Sequence, residues 1–175
     1  MRPVPSVFAP LLFAMALPAL ATLSPGDPKP EIARDPAKPQ PQNSVHTLRQ
    51  IPEACARLEG MFTGQADDPY AFAVVRISET CQPRARFVDA TKAQPSPSKG
   101  WKFNDLIRVP NANCPSQQVV VRVWRKPATT APPKTDAQGK SRIYLEEQRR
   151  AAAANQLAAV PMYAATMAVE GEACR

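Results

Sequence analysis

The chain has 175 residues, with 22 lysines and arginines against 15 aspartates and glutamates, a formal net charge of +7. One histidine, His46, excludes a zinc hydrolase built on several histidine ligands, and its place beside a proline-rich stretch suits neither Ser-His-Asp nor Cys-His chemistry. Six scattered glycines form neither a dinucleotide fingerprint nor a P-loop, so no cofactor and no metal is expected.

Residues 1–21 read as a signal peptide. Arg2 precedes an apolar run from Val7 to Leu20, which ends in Ala19-Leu20-Ala21, an A-x-A cleavage pattern. The run is short for a bilayer span, which needs about 20 residues; an uncleaved anchor is the alternative. No cysteine lies just after the cut, so a lipid-modified N-terminus is not expected, and no transmembrane segment remains after cleavage. The expected location is outside the cytoplasm, periplasmic or secreted.

Residues 22–44 read as a disordered linker. They hold six prolines and the balanced charges Asp27, Lys29, Glu31, Arg34, Asp35 and Lys38. So little apolar surface does not offset the entropy of ordering, so a mobile, extended spacer is expected. Residues 45–175 then form one domain.

Within that domain a helical turn is expected at Pro52–Ala56, followed by a strand through Thr63. Tyr70–Ser78 (YAFAVVRIS) is a second strand, rich in aromatic and β-branched residues. Arg84–Ala90 is a third. Thr91–Gly100 reads as a polar loop.

A hairpin from Trp101 to Pro127 organises the rest. Its second strand, Gln118–Lys126, places Val119, Val121 and Val123 on one face by period-two alternation. Val120, Arg122, Trp124 and Lys126 take the other face. The first strand splits likewise, with Trp101, Phe103, Asp105, Ile107 and Val109 on the apolar side and Arg108 on the cationic side. Asp105 breaks that apolar face, and a buried carboxylate requires a partner, so an ion pair with an arginine is expected. Ala128–Lys140 is a second loop, Ser141–Leu145 a further strand, Glu146–Ala159 a helix stopped by Pro161, and Met162–Glu170 a last strand.

The expected fold is therefore mainly β, a small antiparallel barrel or sandwich of six or seven strands. One helix lies in the C-terminal half. Four cysteines in an exported chain favour two disulfides. If all strands alternate direction, parity pairs Cys81 with Cys114 and Cys55 with Cys174.

Between Arg76 and Lys126 ten basic residues face three acidic ones. The expected binding site is the cationic hairpin face: Arg108, Arg122, Trp124 and Lys126, extended by Arg84 and Arg86. Guanidinium groups match phosphate, sulfate and carboxylate, and a tryptophan offers a stacking surface. A plain solvated face is the alternative reading. The expected function is a non-enzymatic exported module that binds an anionic envelope polymer or an acidic protein; no nucleic-acid motif is present. An inhibitor or accessory protein using the 128–140 loop is the second reading. A glycan hydrolase drawing on Asp67, Asp68, Asp89, Asp105, Glu146 or Glu147 is the third.

Overall fold

The computed structural model describes residues 28–128 and 160–174. Among these residues seven strands form two sheets. β1 (His46–Ile51), β2 (Ala56–Phe62) and β3 (Tyr70–Arg76) make an antiparallel three-stranded sheet in that order. β4 (Arg86–Phe87), β5 (Lys102–Pro110), β6 (Gln117–Lys126) and β7 (Met162–Gly171) make the other, in the order β4-β7-β6-β5. The fold is mainly β, as expected. Among the described residues no barrel closes, and the architecture is that of two sheets packed around a shared core.

That core draws Leu48, Ile51, Leu58, Phe62 and Tyr70 from the first sheet and Ile107, Val109, Val119, Val121 and Val123 from the second. The three alternating valines of β6 are fully buried there. The opposite face of the same sheet is also covered. Trp101, Phe103, Leu106, Val120, Trp124 and Ala164 form a second cluster, against which Val88, Ala90, Ala93 and Met162 pack. A strand buried on both faces reads as a continuous apolar run, which accounts for Val119-Val120-Val121.

Several sequence expectations change. Among the seven strands antiparallel order holds except at β4, which pairs parallel with β7, and the bridges of residues 28–44 to β5 are parallel too. The third strand shrinks from Arg84–Ala90 to two residues because Asp89 caps a four-residue helix, α1 (Ala90–Ala93). Its carboxylate accepts from the Thr91 N–H, the usual role of an aspartate at that position. β1 replaces what was read only as the start of folded structure. The 141–145 strand, the 146–159 helix, the 129–140 part of the second loop and the 1–21 leader lie outside the described residues.

Trp101 and Phe103 also change face. A bulge between Phe103 and Asp105 inserts Asn104 against the β6 ladder. One extra residue reverses the alternation. Asp105, Ile107 and Val109 therefore face the main core, whereas Phe103 stands opposite Trp124 in the second cluster.

Residues 28–44, expected as a mobile linker, are instead laid along the edge of β5. Glu31 N–H donates to Phe103 O, Ile32 N–H to Asn104 O, Ala37 N–H to Arg108 O and Gln40 N–H to Pro110 O, all at 2.8–2.9 Å. Asn43 N–H then reaches Phe62 O in the other sheet. The prolines suit this role. A residue without an N–H fits the outer border of a sheet, where no further strand needs the donor. Their low apolar content argued for disorder, but backbone pairing and one buried ion pair hold the segment.

The disulfides are Cys55–Cys81 and Cys114–Cys174, which corrects both expected pairings. Cys55–Cys81 overturns the parity argument, because Cys114 lies with Gly64, Pro69 and Cys174 beside the β2–β3 turn, at the opposite end from Cys55 and Cys81. The error was to treat the strands as one continuous meander. Because the chain divides into two sheets, each bridge closes its own. Ala56 is registered with Arg76, so the residues flanking β2 and β3 meet. Gln117 is registered with Gly171, so the β5–β6 turn meets the end of β7.

Candidate functional site

The six expected binding residues do not converge. Trp124 is only 8% exposed, packed at 5.0 Å from the Phe103 ring and covered by the α1 segment. It is a core residue and presents no open stacking face. Arg122, beside it in register with Thr166, lies 3.7 Å from the Glu170 carboxylate. Arg108 is half-buried where residues 28–44 cross β5, its carbonyl taken by Ala37. Arg84 and Arg86 are exposed at the other border of the sheet, where Arg86 shares a groove with Arg76 and β3. Only Lys126, at the end of β6, contributes to the concavity beside α1.

That concavity is a cleft of about 650 Å³. Trp101 and Met162 give it an apolar base, with Val88 and Ala93 beside them, and Lys92, Lys99 and Lys126 stand around it. Each part has a local origin. Asp89 starts α1 and so puts Lys92 in its only turn. A second short turn at Pro97–Lys99 ends at Gly100, whose φ of +77° reverses the chain and feeds Trp101 into β5. Lys126 is in register with Met162, so the floor and one cationic wall come from a single strand pair.

The electrostatics of the cleft are one-sided. Asp89 is the one lining carboxylate among the described residues, and that group is engaged by the Thr91 hydroxyl at 2.7 Å and the Thr91 N–H at 2.9 Å. The hydroxyl bond first, then the backbone bond, hold its pKa below the usual carboxylate range. Lys99 donates to the neutral Gln94 amide oxygen at 2.9 Å. No carboxylate among the described residues forms a salt bridge with Lys92, Lys99 or Lys126. Several arginines elsewhere are matched: Arg125 meets Glu31 at 2.8 Å, and Arg57 meets Glu59 at 2.6 Å. Arg125 is the main reason the Glu31 carboxyl is held below its ordinary pKa.

The remaining candidates for chemistry are occupied structurally. Asp105 is completely buried and lies between Arg34, at 2.7 Å, and Arg49, at 3.0 Å, so the expected ion pair is a triad. Arg49 is buried enough that desolvation lowers its pKa, and the Asp105 charge works against that. His46 accepts at Nε2 from the Tyr70 hydroxyl at 2.7 Å, because its Nδ1 faces the Ser44 carbonyl, which only accepts. Asp67 and Asp68 are exposed in the β2–β3 turn. Among the described residues no group of histidine, cysteine or acidic side chains is arranged to hold a metal ion.

Sequence reasoning missed Lys92, Lys99 and Trp101. The first two were inside a stretch read as loop. The Asp89-x-Thr91 capping pattern was the available signal that this stretch folds back onto the sheet. No family model, curated protein or solved structure matches the chain.

Proposed function

We propose that the protein is an exported, non-enzymatic binding module that captures an anionic envelope polymer in the Lys92–Lys99–Lys126 cleft. The observation that carries this reading is the convergence of three lysines on an apolar base, with Asp89 the one carboxylate among the described lining residues. Binding clefts are commonly apolar with a few polar groups that fix the ligand. Three ammonium groups act as mobile point charges and suit a chain of carboxylate, sulfate or phosphate groups better than one rigid anion. Two disulfides fit an oxidising compartment. No helix among the described residues is long and apolar enough to cross a membrane.

The test is titration with two soluble polyanions, polygalacturonate and heparin, at low and high salt. Binding that weakens with salt is expected, because exposed charges are screened over about 10 Å at 0.1 M. The Lys99→Ala/Lys126→Ala pair should weaken it about five- to thirtyfold, from two surface contacts of up to about 1 kcal/mol each. Arg84→Ala/Arg86→Ala, outside the cleft, should leave it unchanged. Equal affinity in the lysine variant would refute the site. Saturable capture of one acidic protein, with no polyanion binding, would move the reading to a protein partner.

A further inference from the structure

The two sheets have four borders, and three are short, irregular or covered. β5 is covered by residues 28–44, β4 is two residues long, and β1 is broken by a bulge between Thr47 and Arg49. β3 is different. Its seven residues pair with β2 in one unbroken register, and among the described residues no strand lies on its other side. The sequence YAFAVVR carries no proline and no charge before Arg76. An edge of this kind is a template for another strand, which is why edges usually carry bulges, prolines or lysines.

The backbone groups presented by β3 can be identified. Thr63 N–H donates to Pro69 O at one end of the ladder, and Ile77 N–H donates to Cys55 O at the other. Bonded pairs alternate in an antiparallel ladder, so Ala71, Ala73 and Val75 bond to β2. Tyr70, Phe72, Val74 and Arg76 therefore aim their N–H and C=O groups outward. Val74 is 43% exposed, although it shares a strand face with the buried Tyr70. Beside it a groove of about 330 Å³ opens between the sheets, lined by Ala85, Arg86 and Phe87 as well as Val74 and Arg76.

The charges at the two ends of β3 select the occupant. The strand begins after the exposed Asp67 and Asp68 and ends at Arg76, which shares its groove with Arg86. An acidic strand would match the arginines but oppose the aspartates. A parallel copy would set like against like. An antiparallel copy brings each acidic turn to the other copy's Arg76 end, where Arg76 and Arg86 outweigh the exposed Glu79.

We infer that β3 is a self-association edge, pairing antiparallel with β3 of a second copy about a twofold axis at Ala73. Full overlap puts Phe72 opposite the second copy's Val74 and Tyr70 opposite its Arg76. The two three-stranded sheets become one six-stranded sheet, and the apolar groove on each copy is covered by the other's strand. This is an isologous contact, closed by its own symmetry. It is independent of the lysine cleft, which lies on the other sheet.

Sedimentation of the purified protein over a dilution from about 1 mM to about 1 μM reads the equilibrium directly. A dimer that dissociates on dilution and more readily in high salt is expected. Val74→Lys should weaken it at least about tenfold, since the symmetry makes each substitution act at two cross-strand pairs. Amide exchange on the unmodified protein supplies a second readout that does not depend on a variant folding. The Phe72 and Val74 amides should exchange more slowly as concentration rises, while the Ala73 amide, already bonded to β2, should not change. A monomer at every concentration overturns the inference. So does a dimer that survives Val74→Lys, or one that leaves those two amides unprotected.

Discussion

Asp105→Asn tests the interaction that joins residues 28–44 to the core. The Asp105 carboxylate is fully buried and receives Arg34 Nε at 2.8 and 3.0 Å, Arg34 Nη2 at 2.7 Å and Arg49 Nη1 at 3.0 Å. Arg49 makes no well-aligned hydrogen bond through that nitrogen, so its tie to Asp105 is mainly charge. The amide keeps the shape and removes the charge, leaving two guanidinium groups together. Their exposures differ: 38% for the Arg34 side chain and 12% for that of Arg49. Arg34 can turn to water, but Arg49 cannot without opening the sheet. Removing one partner of a buried pair costs about 3–5 kcal/mol, a large part of the roughly 5–15 kcal/mol that holds a domain folded. Urea unfolding should show the midpoint falling at unchanged slope. Arg34→Ala should cost less, because Arg49 still neutralises the carboxylate, but should make residues 28–44 cleavable by protease while the two sheets persist. A loss below about 1 kcal/mol in Asp105→Asn would refute the argument, since even leaving a neutral polar group unpaired costs about that much.

Opening Cys114–Cys174 frees a 60-residue separation and opening Cys55–Cys81 one of 26. Chain entropy then predicts losses of about 4.3 and about 3.5 kcal/mol, so the paired serine variant of the former should melt lower; the reverse order would contradict this. His46 is buried enough for desolvation to lower its pKa below the ordinary 6.5. The unfolded chain then binds the proton more readily, so this contribution is complete above that value and is lost as pH falls through the folded pKa. His46→Gln should flatten the dependence of stability on pH below 6.5, and an imidazole titrating above 6.5 by NMR would reverse the sign. Gly60→Ala should destabilise by about 1–3 kcal/mol, because the new methyl would overlap the Tyr70 ring and hydroxyl. An unchanged melting temperature would show that Tyr70 can move without cost.

What was legible in the sequence was the part written in alternation. Val119, Val121 and Val123 are buried together, and the β2, β3, β6 and β7 boundaries fall within two residues of the expected ones. Asp105 announced itself as a charge on an apolar face and has arginine partners. Two kinds of information were not local. Nothing in a run of prolines shows that a distant strand edge will accept its carbonyls and remaining N–H groups, so residues 28–44 read as free chain. The split into two sheets is likewise a property of the whole, and the disulfide pairing depended on it.

The bulge at Asn104 explains why the binding face was misplaced. Strict alternation grouped Trp101 and Phe103 with the valines and left Trp124 on an open cationic face. One inserted residue brings Phe103 across to Trp124, and with Trp101 these aromatics form an apolar surface that must itself be covered. The segment that covers it is the one that carries Lys92 and Lys99. The same event that buries the expected stacking residue therefore gathers lysines at the rim of its cover. If this is correct, loosening the cover should disturb the cleft before the core. Asp89→Ala removes the bonds to Thr91 and should loosen the start of α1. Polyanion affinity should change in that variant while the β-sheet circular dichroism signal stays constant. Affinity that follows global unfolding alone would mean that the cover and the cleft are not coupled.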